Sequence, residues 1–285
     1  MEGVGPPLVT PFTTDGDLDE PALRELVGWV EERGVDFIVP CGSNSEAELM
    51  TAEERARTVE IVAEEASVPV MAGTGHPGLR ETLSATEAAA DAGADAALVV
   101  TPFYYDHDQE TLAAYFREVA DASPIPVYLY SVPAFTGVRL TPPTVERLAE
   151  HPNVAGMKDS SGDVGEFVRI ARRTAEADFA PMVGSASVLA QALDAGATGG
   201  VVALANLAPA ATSEIYESHA EDPRRALSLN APLVELNRAI TATYGIAGLK
   251  WAMRARGAPA GHVRSPHRPA GEEARDRLET LLEEL

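Results

Sequence analysis

Lysine is almost missing from this chain. Of its 22 basic residues only Lys158 and Lys250 are lysines, and the rest are arginines. Arginine keeps its proton in proteins and cannot serve as a neutral amine nucleophile; lysine can. A chain that uses arginine nearly everywhere else therefore draws attention to its two amines. Cysteine is scarcer still. Cys41 stands alone, which excludes an internal disulfide and suits a reducing compartment such as the cytoplasm. No run approaches the roughly 18 uninterrupted apolar residues of a membrane helix. The first residues, Met1-Glu2-Gly3-Val4-Gly5-Pro6-Pro7, lack the basic-then-apolar order of a secretory signal. The six histidines (76, 107, 151, 219, 262 and 267) show no closely spaced ligand pattern, so no metal is expected.

Positive charge as a whole is in deficit. The chain carries 44 acidic against 22 basic residues, a formal charge of -22. Nucleic acid and anionic membranes would be repelled. The acids are spread over many segments, as on a solvated surface, and acid excess with little lysine fits a high-salt cytoplasm in which screening relieves self-repulsion.

Along the chain, short β-rich runs alternate with helical periodicity. The pattern predicts strands at 4–10, 37–41, 68–73, 96–101, 127–131, 154–158, 181–184 and 200–204. Helices are predicted near 19–33, 51–66, 78–92, 109–122, 142–150, 163–177, 186–195 and 208–219. Thr51 followed by Glu54 reads as a capping box, and Gly34 and Gly93 as helix stops. Eight strand–helix units point to a (β/α)8 TIM barrel over 1–222, with an open doubly wound sheet as the alternative. Helices near 223–243, 246–256 and 271–285 form a C-terminal helical appendage over 223–285, interrupted by a Gly/Pro/His-rich stretch at 257–271.

In such barrels the chemistry lies at the C-terminal ends of the strands. Those ends collect Gly42-Ser43-Asn44, Gly73-Thr74-Gly75, Thr101-Pro102-Phe103-Tyr104, Tyr130-Ser131, Lys158-Asp159 and Gly184-Ser185. Gly73-Thr74-Gly75-His76-Pro77-Gly78 matches a dinucleotide fingerprint. It follows the third strand rather than the first, however, and the next strand ends without an acid. Lys158 could simply pair with a carboxylate, and Tyr130 could be a satisfied core tyrosine; their adjacent strand ends make them a candidate amine and acid/base. Cys41 reads as a small buried hydrophobe, and Trp29 and Trp251 as packing.

These strand ends, with Leu8-Val9-Thr10-Pro11-Phe12, Ala72-Gly73-Thr74-Gly75, Gly156-Met157-Lys158-Asp159 and Leu249-Lys250-Trp251-Ala252, resemble the pyruvate-dependent class I aldolases. That superfamily includes N-acetylneuraminate lyase, dihydrodipicolinate synthase and 2-keto-3-deoxygluconate aldolase. The resemblance covers essentially the whole chain. It implies that Lys158 forms a Schiff base with the 2-oxo carbon of pyruvate, with no other cofactor, and that Tyr130 shuttles protons. Ser43 and Asn44 would bind the carboxylate, with Gly184, Ser185 and Val201 lining the substrate site. Tyr104 would reach into a neighbouring subunit, which implies a homo-oligomer, commonly a tetramer built as a dimer of dimers. Two departures stand out. Asn44 replaces a hydroxyl residue, and Phe135 stands where similar dihydrodipicolinate synthases carry the arginine that holds a semialdehyde carboxylate. Arg139 is near in sequence. Phe135 therefore favours cleavage of 2-keto-3-deoxygluconate or its 6-phosphate. Dihydrodipicolinate synthesis and dehydration of a deoxy sugar acid are the enzyme alternatives, and a binding protein on an inactive barrel is the one from another class.

Overall fold

Alternation along the strands decides which side chains enter the barrel. The computed structural model describes residues 1–285. Its strands are β1 (Gly3–Gly5), β2 (Met71–Gly73), β3 (Ala96–Val100), β4 (Val127–Ser131), β5 (Val154–Asp159), β6 (Ala180–Val183) and β7 (Gly199–Val201), all parallel in the order β1-β7-β6-β5-β4-β3-β2. In β3, Ala97 and Val99 face the surrounding helices while Ala96 and Leu98 face inward; in β4, Val127 and Leu129 face out while Tyr128 and Tyr130 face in. A register shift between Val127 and Tyr128 resets this alternation against β5. Val154 and Met157, an odd number of residues apart, thus both join the outer layer, and Lys158 turns inward.

The sheet closes through a segment that forms no regular strand. Pro7 bridges Val39 and Ile38 bridges Val70, both in parallel sense. The Leu8 amide donates to the Val39 carbonyl at 2.9 Å, and the Gly73 amide to the Pro40 carbonyl at 2.9 Å. The predicted strand at 37–41 is reduced to these bridges, and that at 4–10 to β1 plus one bridge. Prolines 6, 7, 40 and 69 remove donors from the ladder here, so pairing is intermittent although the eighth position of the barrel is filled.

Helices cover the outside. The Thr51 capping box is present, with Glu54 N–H donating to Thr51 Oγ1 at 3.2 Å and Thr51 N–H to Glu54 at 2.9 Å. Gly34 and Gly93 take positive φ where their helices stop. The single helix predicted over 223–243 is instead Pro223–Asn230, Leu233–Arg238 and a π-helical turn, Ala239–Thr243. Pro232 ends the first piece, and the wider turn presents Ile240, Thr241 and Ala242 to the barrel mouth. Helices Gly245–Ala255 and Glu272–Leu282 complete the chain. Trp29 and Trp251 pack against one apolar cluster that runs from Val4 to Leu281, so the C-terminal helices share the barrel's core.

Candidate active site

The residue types at the barrel mouth are held there by strained backbone. Three residues other than glycine take positive φ, Cys41 (58°) and Glu46 (58°) beyond the bridged segment at 38–39 and Tyr104 (80°) beyond β3. Such conformations persist where surrounding contacts over-determine them, often at functional sites. Between Cys41 and Glu46 lies a 3₁₀ turn, Ser43–Ser45, pinned by Ser45 Oγ, which donates to the Leu8 carbonyl at 2.5 Å and accepts from Gly42 N–H. This pinning points Ser43 toward Tyr130, at 3.4 Å between hydroxyl oxygens.

Lys158 pairs with Tyr130 across β4 and β5. Its Nζ lies 4.3 Å from the centre of the Tyr130 ring, the side chain is 4% exposed, and no carboxylate is within ion-pairing distance. The paired-lysine reading of Lys158 thus fails, and the amine faces a cavity of about 590 Å³. That cavity is lined by Ser43, Asn44, Tyr130, Phe135, Lys158, Gly184, Ser185 and Val201, every residue expected at the site except Tyr104. Gly184 is required by close approach: a Cβ there would run into Ser160. An adjoining cavity of about 290 Å³ shares Ser43, Tyr130 and Phe135 and reaches Cys41 and Gly75. Gly73 and Gly75 owe their place to packing, since side chains there would meet the Cys41 carbonyl and the backbone of Val100.

Asp159, next to the amine, is buried, and burial pushes its carboxyl above the usual range against the opposing hydrogen bonds from Ser161 N–H and Oγ. Those bonds shape the turn that follows Lys158. Burial likewise pushes the Cys41 thiol up to about 12, which makes it an inert wall. Tyr104 is 86% exposed and Phe135 71%, with Tyr105 stacked edge-on against Tyr104. Arg139 faces Asp163 at 3.8 Å and lines neither cavity.

The second lysine has a structural assignment. Lys250 is fully buried and donates to Glu46 Oε1 at 2.5 Å and to the carbonyls of Thr10 and His262 at 2.6 Å each. Burial pulls its ammonium down to about 8, with Glu46 opposing. The other oxygen of Glu46 accepts from Arg264 N–H at 3.0 Å and pairs with His267 Nδ1 at 2.8 Å. Through Glu46 the stretch at 257–271 is drawn onto the mouth, where His267 and Arg268 line the large cavity. These two residues were missed in the sequence, because nothing in their local spacing signals a site. No three His, Cys, Asp or Glu side chains gather into a group able to hold a metal.

The description "Dihydrodipicolinate synthetase family" fits residues 1–285. A 4-hydroxy-tetrahydrodipicolinate synthase of Methanothrix thermoacetophila is 39% identical over 286 residues, covering 100% of this chain and 97% of the relative. An uncharacterised DapA-like lyase of Halobacterium salinarum is 40% identical over 288 residues, covering 100% and 94%. Among solved structures, the dihydrodipicolinate synthase of Acinetobacter baumannii complexed with pyruvate superposes with a TM-score of 0.94 at 34% identity, covering 99% of this chain and 98% of that one. YagE of E. coli K12 in complex with pyruvate gives 0.95 at 32%, with the same coverages. With the (β/α)8 barrel closed around an unpaired lysine, this chain belongs to the dihydrodipicolinate synthetase family of pyruvate-dependent class I aldolases.

Proposed function

We propose that Lys158 binds pyruvate as a Schiff base, and that the enzyme reversibly cleaves 2-keto-3-deoxygluconate or its 6-phosphate to pyruvate and glyceraldehyde or its 3-phosphate. The observation that carries this reading is a buried lysine without a carboxylate partner, stacked on Tyr130 in a roomy cavity. The Lys158 amine attacks C2 of the 2-oxo acid and water leaves, giving an iminium. Tyr130, whose oxygen lies 3.4 Å from that of Ser43, takes the C4-hydroxyl proton as the C3–C4 bond breaks. The electron pair moves into the iminium and leaves an enamine, and the aldehyde departs. Protonation at C3 and hydrolysis release pyruvate and restore the amine. In this reading Ser43 and Asn44, which line the same cavity, receive the carboxylate.

Two features support the sugar acid. Phe135 at the rim carries no charge, and Ser160, Ser161, Ser185, Thr241 and Tyr244 give the cavity hydroxyls suited to a polyhydroxylated chain. The relatives support a second reading more directly than this one. Proteins 33–39% identical to the chain are named 4-hydroxy-tetrahydrodipicolinate synthases, which favours condensation of pyruvate with aspartate semialdehyde. One assay separates the two: purified protein in high salt releases pyruvate from the keto-deoxy sugar acid if the first is right. Efficient condensation with aspartate semialdehyde, without that cleavage, replaces it by the second.

We read residues 1–222 as the catalytic barrel and 223–285 as a helical region that completes its mouth. Exposed Tyr104 and Tyr105 support a homo-oligomer, read as a tetramer, in which Tyr104 enters a neighbour's site. A single cysteine suits the cytoplasm; no helix is long and apolar enough to cross a membrane.

A further inference from the structure

The large cavity is out of character with the chain around it. Acids outnumber bases 44 to 22 in the sequence, yet no Asp or Glu lines this cavity, while Lys158, His267 and Arg268 do. Asp159, beside Lys158, accepts from Ser161 N–H and Oγ, while Glu46 and Glu48 line the adjoining smaller cavity and the Glu46 carboxylate is fully buried and spent on Lys250, Arg264 N–H and His267. Lys158 is committed to covalent chemistry under the aldolase reading. That leaves Arg268, an exposed residue on the cavity's lining, as a permanent cation with no ion pair or hydrogen bond inside the chain. Its neighbour Arg264, by contrast, is bidentate on Glu54 at 2.6 and 2.7 Å.

The loop that carries Arg268 is fixed before any ligand arrives. His262 N–H donates to the Phe12 carbonyl at 2.8 Å, and Arg264 stacks over the Phe12 ring at 4.1 Å while donating to the Gly16 and Leu49 carbonyls. His267 N–H donates to the Arg264 carbonyl at 3.0 Å, and Arg275 holds the Ala270 carbonyl at 2.8 Å. Glu46 takes the Nδ1 side of the His267 ring, which leaves Nε2 for a ligand. The helix Gly245–Ala255 begins on the same wall, with Gly245, Ile246 and Ala247 lining the cavity and no side chain capping its start. An uncapped helix start favours negative charge.

We infer that Arg268, with His267 beside it, receives an anionic group at the far end of the second substrate, and so determines specificity for that partner. The anion is a carboxylate or a phosphate, both of which match a planar guanidinium fork. The inference rests on the aldolase reading and narrows it to a charged aldehyde partner. Arg268, not Arg139, supplies the charge that Phe135 cannot.

The test uses the full chain at one fixed KCl concentration, because salt screens such a contact. Borohydride trapping of pyruvate on the wild type comes first; without an adduct the aldolase reading falls, and this inference with it. Condensation of pyruvate is then measured with glyceraldehyde, glyceraldehyde 3-phosphate and aspartate semialdehyde, for the wild type, Arg268→Gln and Arg268→Lys. The expected result is a wild type that prefers one of the two anionic aldehydes. Arg268→Gln then lowers kcat/KM for that aldehyde about tenfold or more relative to neutral glyceraldehyde, through KM more than kcat, and Arg268→Lys recovers part of the loss. A loss confined to the phosphorylated aldehyde assigns a phosphate, and one confined to the semialdehyde a carboxylate. Equal effects on neutral and anionic aldehydes, or a wild type that prefers glyceraldehyde, overturn the inference.

Discussion

Replacing Lys250 by methionine isolates the structural half of the chain's lysine usage. The substitution keeps an unbranched apolar stem of similar length and removes the ammonium from a fully buried site. Glu46 then keeps a buried negative charge with only Arg264 N–H and His267 as partners, and the Thr10 and His262 carbonyls lose a donor. Breaking a buried pair from one side costs about 3–5 kcal/mol. With an unfolding entropy of about 2.1 cal/mol/K per residue over 285 residues, that corresponds to a fall in Tm of roughly 5–8 °C. The double variant Glu46→Gln/Lys250→Met should regain at least half of the loss. It removes the stranded charge, and Gln meets the same left-handed backbone at position 46 that Glu does (φ 58°). Thermal and urea unfolding at matched KCl measure both variants. A Lys250→Met protein within ~1 kcal/mol of wild type, or a double variant no better than the single one, would refute the reasoning.

Three further outcomes follow from the same geometry. Tyr130→Phe keeps the ring beneath Lys158 but removes the proton carrier, so kcat should fall about 10²–10⁴-fold while the fold is retained; a loss below tenfold would remove Tyr130 from the acid–base role. Native Cys41 should resist thiol reagents at pH 8, because a thiol pushed up to about 12 is ionised on the order of a thousandfold less than an ordinary one. Labelling at the rate of a free thiol would contradict its burial. With a formal charge of -22, stability should rise with KCl; a maximum without salt would exclude the high-salt reading.

What could be read from the sequence was local. Strand β4 lies where alternation placed it, at Val127–Ser131, and Lys158, Tyr130 and Ser43 come together as their strand ends required. The strand at 37–41 dissolved into bridges because prolines interrupt both it and its neighbours, an effect that periodicity does not register. The long helix at 223–243 broke at Pro232 and at a π turn, Ala239–Thr243, that no proline or glycine announces. The least legible part was the C-terminal contribution to the mouth. Glu46 meets Lys250 and His267 across separations of 204 and 221 residues, and only closure of the barrel makes them neighbours. Arg268 follows from those contacts, so a stretch that reads as a spacer carries a charged wall of the site.

The most direct measurement of the central claim is borohydride trapping with pyruvate, followed by peptide mapping. The account predicts one reduced pyruvyl adduct, on Lys158 and absent from a folded Lys158→Met variant, with Lys250 unmodified behind its ion pair with Glu46. No adduct, an adduct on Lys250, or a Lys158→Met protein that still forms one would contradict it.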